Sequence, residues 1–128
     1  MMKIKFTRPA RNRKFLKDLD KSRRKRLMNA HLSSELREEL KTRSLPLRPG
    51  DTVRVVRGKN KGLVKKVLKV SLKKNQVQIE GIKTTKTDST EIFHWIEPSN
   101  LIITQISQRG ERKEILERIA EANSTKEE

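Results

Sequence analysis

Arg57-Gly58-Lys59-Asn60-Lys61-Gly62 is the run whose residue types and spacing best suit a chemical task. Two lysines stand inside a short loop with a glycine at each end, and Arg57 comes just before it. Glycine opens backbone angles closed to other residues and lets another backbone come close. Cations fixed on a tight, exposed loop suit the phosphates of a nucleic acid backbone. The chemistry is anion binding rather than turnover. An NTPase phosphate loop would need a following Ser or Thr and a helix, and neither follows Gly62. Further candidates for the same task are Arg8, Arg11, Arg13, Lys14, the cluster Arg23, Arg24, Lys25 and Arg26, and then Arg48, Lys83 and Lys86.

Other chemistry finds no support in the sequence. His31 and His94 stand 63 positions apart, and neither has a carboxylate motif around it. No serine sits in a nucleophile elbow. There is no cysteine, so neither a disulfide nor a thiolate metal site is available. The expectation is a protein with no enzyme activity, no catalytic or metal residues and no cofactor. Phe93 and Trp95 lie on one strand; the expectation is that one faces the core and the other outward, where it could stack on a base. With 3% aromatic residues there is no stacking platform, so RNA shape and phosphate are read rather than base sequence.

The elements that hold these residues follow from composition. The chain has 128 residues, with 32 Lys and Arg against 16 Asp and Glu, a net charge of +16. It is 38% charged and 32% hydrophobic, so a core cannot run along its whole length. A compact middle with solvated or partner-bound ends is expected. Such a charge favours nucleic acid over a membrane, since no long apolar run appears. The start lacks the apolar core of a secretory signal, which points to the cytosol or nucleus.

Residues 1–30 hold 12 basic and 2 acidic residues and read as a basic coil around Pro9, with a short amphipathic turn at Phe15, Leu16 and Leu19. In isolation they are expected to be disordered, becoming ordered against phosphates. Residues 31–46 read as a short helix and linker, capped by Ser33 or Ser34, with Leu36 and Leu40 on the packing face. Residues 47–106 read as the folded domain. Thr52 to Arg57 is a strand with Val53 and Val55 on one face. Leu63 to Leu72 is a second strand whose pattern changes phase near Lys65 and Lys66, a bulge or bend. Val77, Ile79 and Gly81 share a face of a third. Residues 82–89 are a polar connection that puts Lys83 and Lys86 on a loop. Glu91 to Ile96 and Leu101 to Ile106 complete five strands, mainly β, suggesting a small curved barrel. Residues 107–128 read as a C-terminal helix from about Glu111 to Ala122, followed by a disordered tail.

The strand, then Val-Val-Arg-Gly-x-x-Lys-Gly, then Leu63-Val64, resembles the KOW motif. Ser33 to Arg37, Arg43 to Arg48 and His94 to Thr104 resemble the flanks of one family. It is the large-subunit ribosomal protein numbered twenty-four in universal naming and twenty-six in eukaryotes. The resemblance covers roughly residues 20 to 119. It implies an SH3-like barrel and a structural role in the large subunit. It also implies binding to ribosomal RNA near the nascent-chain tunnel exit, and a part in subunit assembly. Neighbouring ribosomal proteins would be partners and the chain a monomer within the ribosome. It would be cytoplasmic, passing through the nucleus or nucleolus if eukaryotic. Lys65 stands where the family usually has a glycine, which bears on the bend of the second strand. The acidic C-terminal end also departs from the basic tails of many eukaryotic members. The alternatives are a KOW module of a transcription elongation factor docking on RNA polymerase, and an anion-binding enzyme.

Overall fold

The computed structural model describes residues 8–125. Two basic helices come first, α1 at Pro9–Asp18 and α2 at Lys21–Leu27. Pro9 sits at the first helical position of α1, where its missing N–H costs nothing. The basic segment expected as coil is therefore helical over Pro9–Asp18 and Lys21–Leu27 and enters the sheet at Asn29; residues 1–7 of it lie outside the described residues. Arg24 joins the two helices: its Nε donates to the Leu19 carbonyl at 2.9 Å and its Nη2 to that of Lys17 at 2.5 Å. Leu19 is buried. What reads as charge density in the sequence also closes a helical corner.

The sheet has seven strands rather than five. β1 (Asn29–Leu32) and β2 (Ser44–Pro46) flank the expected short helix α3 (Ser34–Leu40). Then come β3 (Thr52–Val55), β4 (Val64–Ser71), β5 (Gln76–Thr85), β6 (Glu91–Ile96) and β7 (Leu101–Gln105). A 3-10 turn at Pro98–Asn100 leads into β7, and α4 (Arg112–Ser124) ends the described chain. The strand order is β2-β1-β7-β3-β4-β5-β6. All pairings are antiparallel except β1 with β7, which is parallel through His31↔Ile102 and Leu32↔Ile103. The edge strands β2 and β6 do not pair with each other, so the sheet stays open.

One core joins most of these elements. Met28, Ala30, Leu32, Leu40, Leu45 and Leu47 share it with Val53, Val55, Val67, Val77, Ile79, Ile82, Leu101 and Ile103. Thr52–Val55 follows the two-residue period, with Val53 and Val55 buried and Arg54 out. The third of the expected strands, β5, does not keep its period. Val77 and Ile79 are buried, but Gly81 is exposed at φ +82° and Ile82 is buried instead. Pairing with β6 shifts register between Gln78 and Lys83, the sign of a bulge. The bulge moves the inward face by one residue, so the strand runs on to Thr85. Residues 82–85 are thus strand and not loop. In β4 the irregularity also exists, but it falls between Val67 and Lys69, slightly later than the phase change at Lys65 and Lys66 suggests.

Ser33 precedes α3 in the extended conformation of an N-cap, yet its side chain makes no capping bond. Lys41 ends the helix in the left-handed region at φ 53°. α4 then packs across it, with Leu116, Ile119 and Ala120 against the core. Asn123 donates to the Leu40 carbonyl at 3.3 Å, satisfying one of the groups that a helix end leaves unpaired. α4 runs two residues beyond the expected Ala122; residues 126–128 of the expected disordered tail lie outside the described residues.

Asp51 and Arg112 lock this helix to the sheet. Asp51 is completely buried and Arg112 is 5% exposed. The Arg112 Nη1 donates to Asp51 Oδ1 at 2.7 Å, and its Nη2 to the Pro46 carbonyl at 3.1 Å. The backbone N–H groups of Ser107 and Arg48 also donate to the carboxylate, at 2.9 and 3.0 Å. A buried charge is tolerated only when paired and hydrogen-bonded, and here each oxygen has a donor. Among the described residues no helix is long and apolar enough to cross a membrane.

Candidate nucleic-acid interface

The loop between β3 and β4 is held at both ends by backbone bonds. Val55 donates to Leu63 at 2.9 Å and Gly62 donates back to Val55 at 2.8 Å. Inside, Lys61 donates to Gly58 at 3.2 Å and Leu63 to Asn60 at 3.2 Å. Val56 donates to Asn100 at 2.9 Å, tying the loop's root to the 3-10 turn. Arg57, Gly58, Lys59, Asn60, Lys61 and Gly62 are all exposed. Their charges are therefore carried on a braced turn, and little ordering remains to be done on binding.

Gly58 and Gly62 have φ of +100° and +89°, and a Cβ at either would meet nothing within 4 Å. The glycines are needed here for backbone angle, not for space inside the protein. Gly62→Val should therefore destabilise by about 1–3 kcal/mol through strain alone. A thermal melt checks this, and an unchanged melting temperature would mean that the loop relaxes freely.

Topology brings the loop and the end of α2 to one end of the sheet. Val55 at the end of β3 pairs with Leu101 at the start of β7. The parallel pairing puts the start of β1, and α2 before it, at that same end. The antiparallel β4 starts there too, and the end of β6, at Ile96 and Glu97, lies against the loop, whereas the β5–β6 turn is at the other end of β6. The loop and the last turn of α2 thus share one end, and Lys86 does not join them. Arg11, Arg13 and Lys14 are exposed on α1, with Arg8 just ahead of it. Lys25 and Arg26 are exposed on α2.

Four candidates differ from this pattern. Arg24 is half-buried and engaged with carbonyls, as described above. Arg23 faces Asp20 at 3.7 Å, an exposed pair of little energetic weight. Arg48 is exposed beside Asp51, at the start of β3 and not at its loop end. Lys83 stands on β5, not on a loop, and its Nζ lies 2.6 Å from Glu91 and 5.3 Å from the Phe93 ring centroid. Its charge is already shared. Lys86 does lie at the turn, where its N–H bonds Thr90 and its side chain is exposed.

The two aromatic residues also depart from expectation. Phe93 and Trp95 are both half-buried, because residues two apart on a strand stand on the same face. Each carries a lysine over its ring, Lys74 lying 4.9 Å from the Trp95 centroid. Neither histidine joins a metal-binding group: His94 bonds Thr84 and His31 is exposed. Among the described residues no group of three or more His, Asp or Glu could hold a metal ion.

The chain is thus a small, strongly basic, mainly β protein with a braced glycine–lysine loop and two cationic helices. Residues 7–119 match the family described as ribosomal proteins L26 of eukaryotes and L24 of archaea. Similar proteins include the large ribosomal subunit protein uL24 of Korarchaeum cryptofilum. It is 36% identical over 118 residues, 91% of this chain and 90% of that one. The protein of the same name from Methanosphaera stadtmanae is 39% identical over 105 residues, 82% of this chain and 90% of the relative. That from Methanothrix thermoacetophila is 42% identical over 91 residues, 71% and 78% of the two chains. The chain belongs to this family of large-subunit ribosomal proteins, so its role is structural and not enzymatic. The match runs through α1, α2, α3 and most of α4 as well as the loop, which favours the ribosome over a polymerase-docking module.

Proposed function

We propose that the chain binds large-subunit ribosomal RNA electrostatically, with the Arg57–Gly62 loop and the basic helices as its two contact groups. The observation that carries this reading is the loop itself. Its exposed cations sit on a turn braced by Val55, Leu63 and Asn100 and shaped by two glycines at positive φ. In this reading residues 47–106 carry the loop and residues 1–30 form the arm. Residues 31–46 join the arm to the sheet, with β2 against α2, and the C-terminal helix packs on α3. The curved part, β3 to β7, is an SH3-like barrel left open, its curvature helped by the three register breaks. The family further supports a place near the nascent-chain tunnel exit and a part in assembly, with a nuclear or nucleolar stage in a eukaryote. Contacts to neighbouring ribosomal proteins, with the chain as a monomer, complete the reading.

Double substitution Lys59→Ala with Lys61→Ala tests it. Both side chains are exposed, so the melting temperature should not change. Affinity for large-subunit RNA should fall, and the salt slope should lessen by roughly one unit for each phosphate no longer neutralised. Filter binding across a salt series measures both. Parent-like affinity and slope would remove the loop from the RNA interface.

A further inference from the structure

A cleft of about 380 Å³ opens beside the loop, in the size range of small-ligand sites, ~300–1,000 Å³. Its apolar lining comes from Val55, Ile82, Trp95 and Ile96. Arg57 and Lys59 line it from the loop side. The cleft exists because of two features already described. The bulge at Gly81 turns Ile82 inward, and the Val56–Asn100 bond draws the loop toward the 3-10 turn.

We propose that this cleft receives one unstacked RNA base whose phosphates rest on Arg57 and Lys59. The inference rests on the RNA-binding reading above and adds what the loop recognises: a bulged or looped-out nucleotide, not uniform duplex. Three observations favour that occupant. Apolar and aromatic lining suits the flat face of a base, which sequence-tolerant RNA readers stack on such side chains. Two loop cations, Arg57 and Lys59, outweigh the one carboxylate on the lining, Glu97, so a base and its own phosphate are met together. Asn60 and Asn100 also line the cleft, and each amide offers a donor and an acceptor to a base edge. An apolar protein side chain in the cleft would leave those two cations without a counterpart.

Trp95 is the single tryptophan of the chain, so intrinsic fluorescence reports on the cleft alone. The test uses the full chain and two RNA hairpins of equal charge, one with a bulged adenosine and one with an abasic site at the bulge. The adenosine hairpin should bind about tenfold more tightly, the scale of one base–aromatic stack, and should quench Trp95. The abasic hairpin should bind with little quenching. In Trp95→Leu the tenfold preference should shrink to about two, with affinity for the abasic hairpin unchanged. Equal binding and equal quenching of the two hairpins by the parent protein would overturn the cleft proposal while leaving the loop's phosphate contacts standing. Failure of both hairpins to bind at low salt would overturn the RNA-binding reading and this inference with it.

Discussion

Arg112→Met is expected to lower the stability of the protein by about 3–5 kcal/mol, the cost of leaving a buried charge without its partner. Asp51 would keep two backbone donors, from Ser107 and Arg48, and lose the cation that neutralises it. The Pro46 carbonyl would lose its guanidinium donor as well. The melting temperature should drop by on the order of 10–20 °C for a chain of this size. Methionine keeps most of the side chain's bulk, so the loss reports on charge and hydrogen bonds and not on a cavity. Adding Asp51→Asn should recover part of it, because the amide buries no charge and its single oxygen can still accept one of the two backbone bonds, from Ser107 or from Arg48. If Arg112→Met melts like the parent, the pair does not hold α4 on the sheet.

A second large effect is expected from the helical arm. Substituting Arg11, Arg13, Lys14, Lys25 and Arg26 by glutamine removes five exposed cations. Each phosphate left unneutralised should take about 0.7–0.9 unit from the slope of log affinity against log salt. If all five meet phosphates, the slope should fall by roughly four units. Affinity at 0.1 M salt should then drop by on the order of 10³-fold or more. Circular dichroism should change little, since glutamine is also a good helix former and surface substitutions cost within about 0.5 kcal/mol each. Arg24 is left in place because it bonds two carbonyls at the helical corner. A salt slope equal to the parent's would mean that these helices face away from the RNA.

The features legible in the sequence are those set by local chemistry. Alternating valines announce β3, and paired glycines around lysines announce the loop at positive φ. Ser33, Leu36 and Leu40 mark α3 inside the expected helix and linker of residues 31–46, and α4 follows from Ile115, Leu116 and Ile119. Each signal is complete within a few residues. Features that rest on distant partners are not legible. Asp51 reads as an ordinary turn residue after Pro-Gly, and Arg112 as an exposed charge in a mixed-charge helix. Only the fold brings them together across 61 positions. β1 and β2 are four and three residues long, too short for periodicity to separate them from linker. They exist because Ala30 and Leu45 close the core on one another.

Two errors about the site share one cause. Gly81 reads as a strand end, since glycine weakens a strand and a mainly polar run follows it. In the fold it is a bulge, and the strand continues through Lys83 to Thr85. That change moves Lys83 from a loop onto a strand, opposite Phe93 and ion-paired with Glu91, and puts Ile82 into the cleft. The helical arm is a different case. Arg8 to Lys14 has the composition of a coil, but arginine, lysine and alanine are good helix formers once Pro9 starts the turn. Composition alone weighs the repulsion and misses the propensity.

Mapping of protein–RNA cross-links on purified large subunits tests the central claim most directly. Cross-linked peptides should come from the Arg57–Gly62 loop and from α1 and α2. The face formed by α3 and α4, where Glu35, Glu38, Glu39, Glu114, Glu117 and Glu121 are exposed, should yield few. Cross-links on that acidic face, with none on the loop, would contradict the account.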